Sequence, residues 1–567
     1  MADTTGTMTG AEPAGPRRWL AALAANAVVA RALLVALCLA AMVPGLFHVP
    51  AVDRDEARFA QASRQMLASG DYVTPRLGAE PRFKKPIGIY WLQTAAAHLT
   101  GHGDGAAPIW VLRLPSLAAA ILAVLMTHAI GVRLFGPRAA LLGAALLATC
   151  LVLNGEARLA KTDATQLAAA VAGQLALLLC YRAPPDAPRR LGPALLFWCA
   201  MGLGILVKGP IVPMLAGLTI LALLILDRRA GWLARLRPKV GVPVLALIVL
   251  PWVVAIALSS GLDFFHEAVG NDLLGKVAAG QESHGAPPGA HLAAFFVAFW
   301  PGAALAAAAV PWVWANRGTR EVRFLLAWII PFWIVFELIA TKLPHYTLPA
   351  YPAIALLAGA AACSPRLDPA PRWARWLVVA AAAGAVASAF ALPAALVVLQ
   401  QQWVPLSFAL ALAGLVAGVM AGRRALAGAL TGAYRWLFAA AVALYGLGFG
   451  VVVPRLDLLW LSPRLEAAVV ATTPCPAPQL FVAGYSEASA LFYLGKDTGF
   501  GDGAAASDFL AGPGCRVAIV SDRQKAAFEA RQAERGGPAP RLLDTVTGLN
   551  TGNGRLLTMS LLTAGSP

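Results

Sequence analysis

Charge is scarce in this chain: 13% of its 567 residues are Asp, Glu, Lys or Arg, against 59% hydrophobic. A soluble domain carries about a quarter charged residues, so lipid rather than water is the natural solvent for most of the sequence. Several motifs are also missing. A P-loop, a GxGxxG fingerprint, a GxSxG elbow and an HExxH helix are absent from the contexts they need, which leaves nucleotide hydrolysis, dinucleotide redox, serine hydrolysis and zinc proteolysis without support. The seven cysteines form no CxxC pair. Cys38, Cys150, Cys180, Cys199 and Cys363 fall in or beside apolar runs, where a small hydrophobe is the default role. Cys475 and Cys515 alone invite a disulfide.

What is present is a series of apolar runs separated by short basic connections. A span needs roughly 20 apolar residues. The runs predict about thirteen spans near 28–48, 110–131, 138–154, 163–181, 192–207, 210–226, 240–259, 291–313, 324–340, 347–363, 376–399, 405–421 and 435–453. The first run follows Arg17-Arg18 and leads into charged sequence, which reads as an uncleaved span rather than a signal peptide. Alternate connections (133–138, 181–190, 227–239, 316–323, 366–375 and 423–435) are rich in Arg or Lys. The positive-inside rule places them and the N-terminus in the cytoplasm. The 45 Lys plus Arg are scattered among apolar runs instead of clustering, so their excess over acids reads as topology and not as a nucleic-acid surface.

Residues 1–453 therefore read as a membrane-embedded domain, and 454–567 as a small α/β domain outside the membrane, with strands over 479–485 and 516–521 and a helix over 522–534. The fold class is mainly α: a polytopic helical bundle with interfacial helices and this outer cap. The first outer loop, 50–108, is long enough to have structure of its own. Asp55 to Ala68 and Ile87 to Leu99 predict two helices, and Tyr90 and Trp91 favour the headgroup level.

Acids and bases gather at the outer span ends. Asp53, Asp55 and Glu56 complement the positive end of a helix dipole, while Arg58 lies one turn from Asp55. A carboxylate held near cations beside lipid is suited to act as a base or as an acceptor for a nucleophile's proton. Lys84 and Lys85 precede Pro86, which fixes the backbone at the bundle mouth, and a lysine there is placed to hold a lipid-linked phosphate. Glu156, Arg158, Lys161 and Asp163 crowd a very short loop, costly unless they pair or serve a site. Lys208, between two spans, and Lys342 with His345 at a proline-broken turn are further cations at the same level. His266 with Asp263 and Glu267 gives weak support for a metal. No cofactor is required by these residues, and a divalent metal stays open.

Asp55-Glu56-Ala57-Arg58, Ser69-Gly70-Asp71-Tyr72, Phe83-Lys84-Lys85-Pro86 and Tyr90-Trp91-Leu92 together resemble the first periplasmic loop of the lipid A aminoarabinose transferases and their protein mannosyltransferase relatives. These are polyprenyl-phosphate-dependent glycosyltransferases of the C-type membrane fold. Ala157-Arg158 with Thr162-Asp163, Lys208-Gly209-Pro210, Lys342-Leu343-Pro344-His345-Tyr346, Tyr351-Pro352 and Gly484-Tyr485 with Phe492-Tyr493-Leu494-Gly495 extend the likeness through the chain. The resemblance implies Asp55 as the catalytic carboxylate with Asp163 as the second-loop acid, and Lys85 on the donor phosphate with help from Lys208 and Lys342. Arg58, Lys84, His345, Tyr346 and Glu487 would then bind substrate. It further implies an undecaprenyl-phosphate sugar donor, a lipid A, protein or glycan acceptor, and a bacterial inner membrane location with the site facing the periplasm. Two departures stand out: Lys84 replaces a glutamate common in the family, and Gly88 replaces a proline or leucine.

Overall fold

The computed structural model describes residues 23–275, 285–367, 370–473, 475–536 and 538–564. The expected cytoplasmic Arg17-Arg18 lies outside the described residues.

Each of the expected spans is helical. The chain enters through α1 (Ala27–Met42), capped by the Asn26 side chain, and then forms α2 (Asp55–Ser69) and α3 (Gly88–Leu99) in the first loop. A two-stranded antiparallel hairpin, β1 (Arg76–Leu77) with β2 (Glu80–Pro81), lies between them. The bundle continues through α4 (Ile109–Phe135), α5 (Pro137–Ala148), α6 (Leu151–Glu156), α7 (Asp163–Arg182), α8 (Leu191–Lys208), α9 (Ile211–Asp227) and α10 (Pro238–Ser260). It closes with α11 (Ala290–Ala298), α12 (Ala303–Asn316), α13 (Arg320–Leu338), α14 (Tyr351–Ala362), α15 (Arg372–Gln400), α16 (Pro405–Leu426) and α17 (Leu430–Tyr445).

Seven of these helices are long and apolar enough to cross a membrane, or eight if α11 and α12, bent by 119° at their break, count as one span. The others are shorter, as α1, α5, α9 and the 348–362 segment are, or carry charge, as α13 does at Arg320, Glu321, Arg323 and Glu337. Two expected spans are thus interrupted. The 291–313 run breaks at Trp300-Pro301, where proline cannot continue the ladder. The 138–154 run breaks between Ala148 and Leu151, beyond which α6 delivers Glu156.

The basic connections meet one another at one end of the bundle. Arg182 pairs with Glu321 at 3.3 Å, Arg323 pairs with Asp227, and Arg320 donates to the Tyr181 carbonyl. Arg235 donates to the Ala187 carbonyl at 3.0 Å, satisfying a chain reversal that carries no helix.

The other end is organised by Glu56, which is 1% exposed. Its Oε1 accepts from Arg113 Nε and from the Ala160 amide, both at 2.8 Å. Its Oε2 accepts from Arg113 Nη2 and from the Val52 amide, both at 2.9 Å. Arg113, itself fully buried, also donates to the carbonyls of Leu46, Val49 and Pro50. One carboxylate therefore joins the exit of α1, the start of α2, the second turn of α4 and the turn before α7. Gln93 of α3 reinforces the same point by donating to the Ala160 carbonyl at 3.0 Å while accepting from Ser63 of α2 at 2.6 Å.

Gly88 has a steric reason. A Cβ there would stand 2.7 Å from the Leu206 carbonyl oxygen, so the close approach of α3 to the end of α8 requires glycine. That approach brings the Lys84-Lys85-Pro86 segment toward Lys208.

Beyond α17 a π-helical turn (Gly446–Val452) leads to α18 (Leu461–Thr472) and a five-stranded sheet. Its strands are β3 (Gln479–Ala483), β4 (Gly499–Gly501), β5 (Arg516–Ser521), β6 (Arg541–Asn550) and β7 (Arg555–Thr563), in the order β4-β3-β5-β7-β6. β4, β3 and β5 are parallel, while β5, β7 and β6 run antiparallel. Four helices complete the domain: α18, α19 (Ala488–Leu494), α20 (Gly503–Leu510) and α21 (Lys525–Arg535). Cys475 and Cys515 are disulfide-bonded, closing a 40-residue separation just before β3 and β5. The domain sits on the first loop: Tyr485 and Thr551 hydroxyls donate to Asp53 at 3.2 and 3.0 Å, Arg54 donates to the Gly552 carbonyl, and the Ala51 amide donates to Tyr493 Oη at 2.8 Å.

Removing one member of a buried ion pair leaves an uncompensated charge, at a cost of about 3–5 kcal/mol. Arg113→Ala should therefore lower the Tm of the detergent-solubilised protein sharply, and Arg113→Lys only in part. An Arg113→Ala protein that melts like the parent would disprove the organising role of this pair.

Candidate functional site

Above the bundle a cavity of about 340 Å³ opens between α2, the 82–86 segment, the ends of α7 and α8, and the turn before α14. Asp55, Arg58, Lys84, Lys85, Asp163, Lys208, His345 and Tyr346 all line it. Its inner wall is apolar, with Trp252, Phe264 and Phe336 among the lining side chains.

Helix geometry explains how α2 serves it. Residues three apart share a face, so Asp55 and Arg58 turn together into the cavity while Glu56, about 100° round, meets Arg113. Asp55 is exposed to the cavity space yet enclosed by its walls. Burial pushes its carboxyl up, but Lys161, Arg82 and Lys85 outweigh that and hold it below the ordinary carboxylate range.

Asp163, 6% exposed, is the most heavily paired acid. Its Oδ1 lies 2.5 Å from Lys208 Nζ and 3.6 Å from His345 Nε2, and its Oδ2 lies 3.8 Å from Lys161 Nζ. Glu156 stands behind it, 3.1 Å from Lys161 Nζ and 3.5 Å from His345 Nδ1. Burial pushes the Glu156 carboxyl up to about 7, against the pull of Lys161. Burial alone would strip the Lys161 proton, but Glu156, Asp163 and Asp55 hold its ammonium above the ordinary lysine range. One ammonium is thus shared among three acids. His345 is pulled down to about 3 by burial, so its ring is neutral at neutral pH despite the nearby Asp163.

Glu156, Asp163 and His345 are the group among the described residues whose ligand atoms, all within 4.8 Å of one another, match a metal set. The Lys161 and Lys208 ammonium groups already lie against the oxygens such an ion would take. The His266, Asp263 and Glu267 set does not assemble: the Glu267 carboxylate accepts from Asn271 at 2.7 Å.

Two expected site residues lie outside the cavity lining. Lys342 donates to the Ile339 carbonyl, three residues back at the end of α13, because the proline-broken turn directs Leu343, His345 and Tyr346 inward instead. Glu487 belongs to the seam between the outer domain and the first loop, where Asn550 bonds its carboxylate and Asp53, Arg58 and Arg54 act on its charge. Burial and Asp53 raise its carboxyl above the usual range, against Arg58. Arg158 leaves the site altogether and holds chain ends, donating to the Pro44 carbonyl at 2.7 Å.

Arg82 is the main addition. It is 8% exposed, donates to Tyr90 Oη at 3.2 Å, lies over the Phe59 ring and lines the cavity. Its place in Arg82-Phe83-Lys84-Lys85 was the available signal, since three cations within four residues beside a proline exceed what headgroup binding needs. Gln166, one turn into α7 from Asp163, also lines the cavity. Trp252 and Phe264 carry no motif and were not accessible to sequence reasoning.

The architecture and its charged mouth define a polytopic membrane bundle of the C-type glycosyltransferase fold. The fold matches the crystal structure of ArnT from Cupriavidus metallidurans bound to undecaprenyl phosphate with a TM-score of 0.71, at 20% identity over 96% of this chain and 98% of that one. The apo structure of the same protein matches with a TM-score of 0.70, 21% identity and coverage of 94% and 99%. Residues 84–254 match the family described as dolichyl-phosphate-mannose-protein mannosyltransferase. Over 305 residues the chain is 28% identical to the undecaprenyl phosphate-alpha-4-amino-4-deoxy-L-arabinose arabinosyl transferase of Erwinia tasmaniensis, covering 53% of this chain and 54% of that protein. The corresponding protein of Aeromonas salmonicida is 29% identical over 310 residues, 54% and 55% of the two chains. The chain spans about half the length of the curated relatives it matches in sequence. It is therefore similar in sequence, over about half its length, to these arabinosyl transferases, and similar in fold to ArnT over nearly all of it.

Glu156 offers a stability test with a definite sign. Its folded carboxyl is raised from 4.5 to about 7, so the folded protein keeps a proton that the unfolded chain releases. The contribution is complete below pH 4.5 and fades as pH rises through about 7. Glu156→Gln should flatten the fall of Tm across that window, measured by thermal unfolding at a series of pH values. Superimposable profiles would remove the assignment.

Proposed function

We propose that this protein transfers a sugar from a polyprenyl phosphate to an envelope acceptor, with lipid A the first candidate. The observation that carries the reading is the cavity itself: Asp55, Arg58, Arg82 and Lys85 line one space together with the apolar Trp252, Phe264 and Phe336. A lipid phosphate needs that combination, a cationic pocket for its head at the mouth of a hydrophobic path for its tail. The relatives named above, with undecaprenyl phosphate in the names of the curated proteins and in one crystal structure, support it.

In this reading Lys85 holds the donor phosphate, assisted by Arg82, Arg58 and Lys84 at the rim. The acceptor oxygen attacks the anomeric carbon from the side of Asp55. The bond from that carbon to the phosphate oxygen breaks, its electron pair leaving on the phosphate, and the configuration inverts. Where the acceptor is a hydroxyl, Asp55 takes its proton; where it is already an ionised phosphate, Asp55 orients it. A carboxylate held ionised by Lys161, Arg82 and Lys85 suits either task. Lys208 is bound to Asp163 at 2.5 Å, so its part is to fix that acid, with its charge shared between Asp163 and the donor. His345 and Tyr346 form the opposite wall.

The outer side of the membrane is the natural compartment. The Cys475–Cys515 disulfide belongs in an oxidising environment, and a polyprenyl phosphate leaving group removes any need for a nucleotide pool. The chain then sits in the bacterial inner membrane with Asp55 facing the periplasm.

Asp55→Asn and Lys85→Ala should each reduce transfer of radiolabelled sugar from undecaprenyl phosphate to extracted lipid A by about 100-fold or more, the scale of general base and charge-stabilising groups. Both proteins should insert and purify normally. Full activity in either variant eliminates the mechanism. Transfer to peptide instead of lipid A would change the acceptor and leave the site unchanged.

A further inference from the structure

Between α9, α12, α13 and α14 lies a second groove, of about 900 Å³, that runs from the basic end of the bundle at Arg317 and Arg323 along α13 to Ile334. Its volume lies within the ~300–1,000 Å³ range of ligand pockets. The groove exists because of small residues: Ala222, Ala306, Ala309, Ala327 and Ala358 line it, one or more from each of the four helices. Pro331 adds to the recess, since it cannot donate to the Ala327 carbonyl one turn earlier and both residues line the groove.

The lining is otherwise branched and apolar, and Arg317, Arg323 and Trp314 stand together at one end of it. Trp314 is 68% exposed, the position of an aromatic at headgroup depth, and Arg317 stacks over its ring at 4.3 Å. Arg323 is engaged by Asp227. Arg317 is exposed and uses one arm on the Trp314 carbonyl, leaving other donors of its five-proton fork for a second acceptor. Around this end Arg182, Arg228, Arg229, Arg317, Arg320 and Arg323 outnumber the acids of the adjoining segments, Asp186, Asp227 and Glu321. An apolar trough that ends in an arginine fork beside an interfacial tryptophan is complementary to an amphiphile with a negative head.

We propose that this groove is a binding site for an anionic diacyl phospholipid of the basic-loop leaflet, its chains laid between α12 and α13 and its phosphate on Arg317. The site is separate from the charged cavity and does not depend on the reaction assigned to it. No residue is shared between the two linings.

The test uses the full chain reconstituted in vesicles of equal phosphatidylglycerol and phosphatidylethanolamine, released into mild detergent and weighed by native mass spectrometry. Phosphatidylglycerol should be retained about fivefold over phosphatidylethanolamine, the ratio expected of one arginine at an anionic headgroup. Arg317→Gln should abolish the preference, and Ala306→Phe, which fills the half-buried floor, should displace the lipid. Retention in the vesicle ratio, or a preference unchanged in Arg317→Gln, overturns the proposal. So does displacement of phosphatidylglycerol by added undecaprenyl phosphate, which would make the groove a polyprenyl site. Arg317 is on the surface, so its variant decides the matter even where the filled groove fails to fold.

Discussion

The Glu56–Arg113 pair is the constraint on which the rest of the outer face depends. Neither side chain reaches solvent, and a buried carboxylate is tolerable only when its lone pairs are met. Glu56 meets this demand with four donors drawn from three separate parts of the chain. The consequence is positional. The residue before Glu56 is Asp55, and the amide bonded by Glu56 at Ala160 lies three residues before Asp163. A single electrostatic requirement thus sets the separation of the two acids that line the cavity, although neither takes part in the pair.

Charge balance within the site follows from that placement. Asp55, Glu156 and Asp163 are brought close enough to raise one another's proton affinity, and Lys161 and Lys208 are drawn in to neutralise them. The cations on the opposite side, Arg82 and Lys85, lower the Asp55 carboxyl further. They come from the loop and not from the bundle, and the Gly88 contact with the Leu206 backbone brings that loop against α8. The cavity is thus lined by Asp55, Arg82 and Lys85 from the first loop and by Asp163 and Lys208 from the bundle.

Much of this was legible in the sequence, for reasons that differ by residue. The spans were readable because apolar length and basic connections are additive signals that no tertiary contact needs to confirm. The resemblance picked out Asp55, Lys85 and Asp163, and all three line the cavity, since charged residues at span ends carry motif information. Arg82 was not singled out, because two adjacent lysines drew the functional reading to themselves. Lys342 was expected at the phosphate but turns back to its own helix end, a choice made by the local turn. The tail was half legible: β3 and β5 are buried runs of Leu, Phe, Val and Ile, whereas β6 reads as polar. Its Asn550-Thr551-Gly552-Asn553-Gly554 turn was the better signal for the hairpin.

The six residues from Asp53 to Arg58 show how neighbours in one motif come to serve different parts of the structure. As the chain enters a helix, successive side chains leave about 100° apart, so neighbours in sequence face different bodies. Asp53 and Arg54 meet the outer domain through Tyr485, Thr551 and Gly552. Asp55 and Arg58 enter the cavity, and Glu56 turns inward to Arg113. Dipole matching treats these acids as equivalent, and burial separates them. Through Asp53 and Arg54 the outer domain touches the same short segment that lines the cavity.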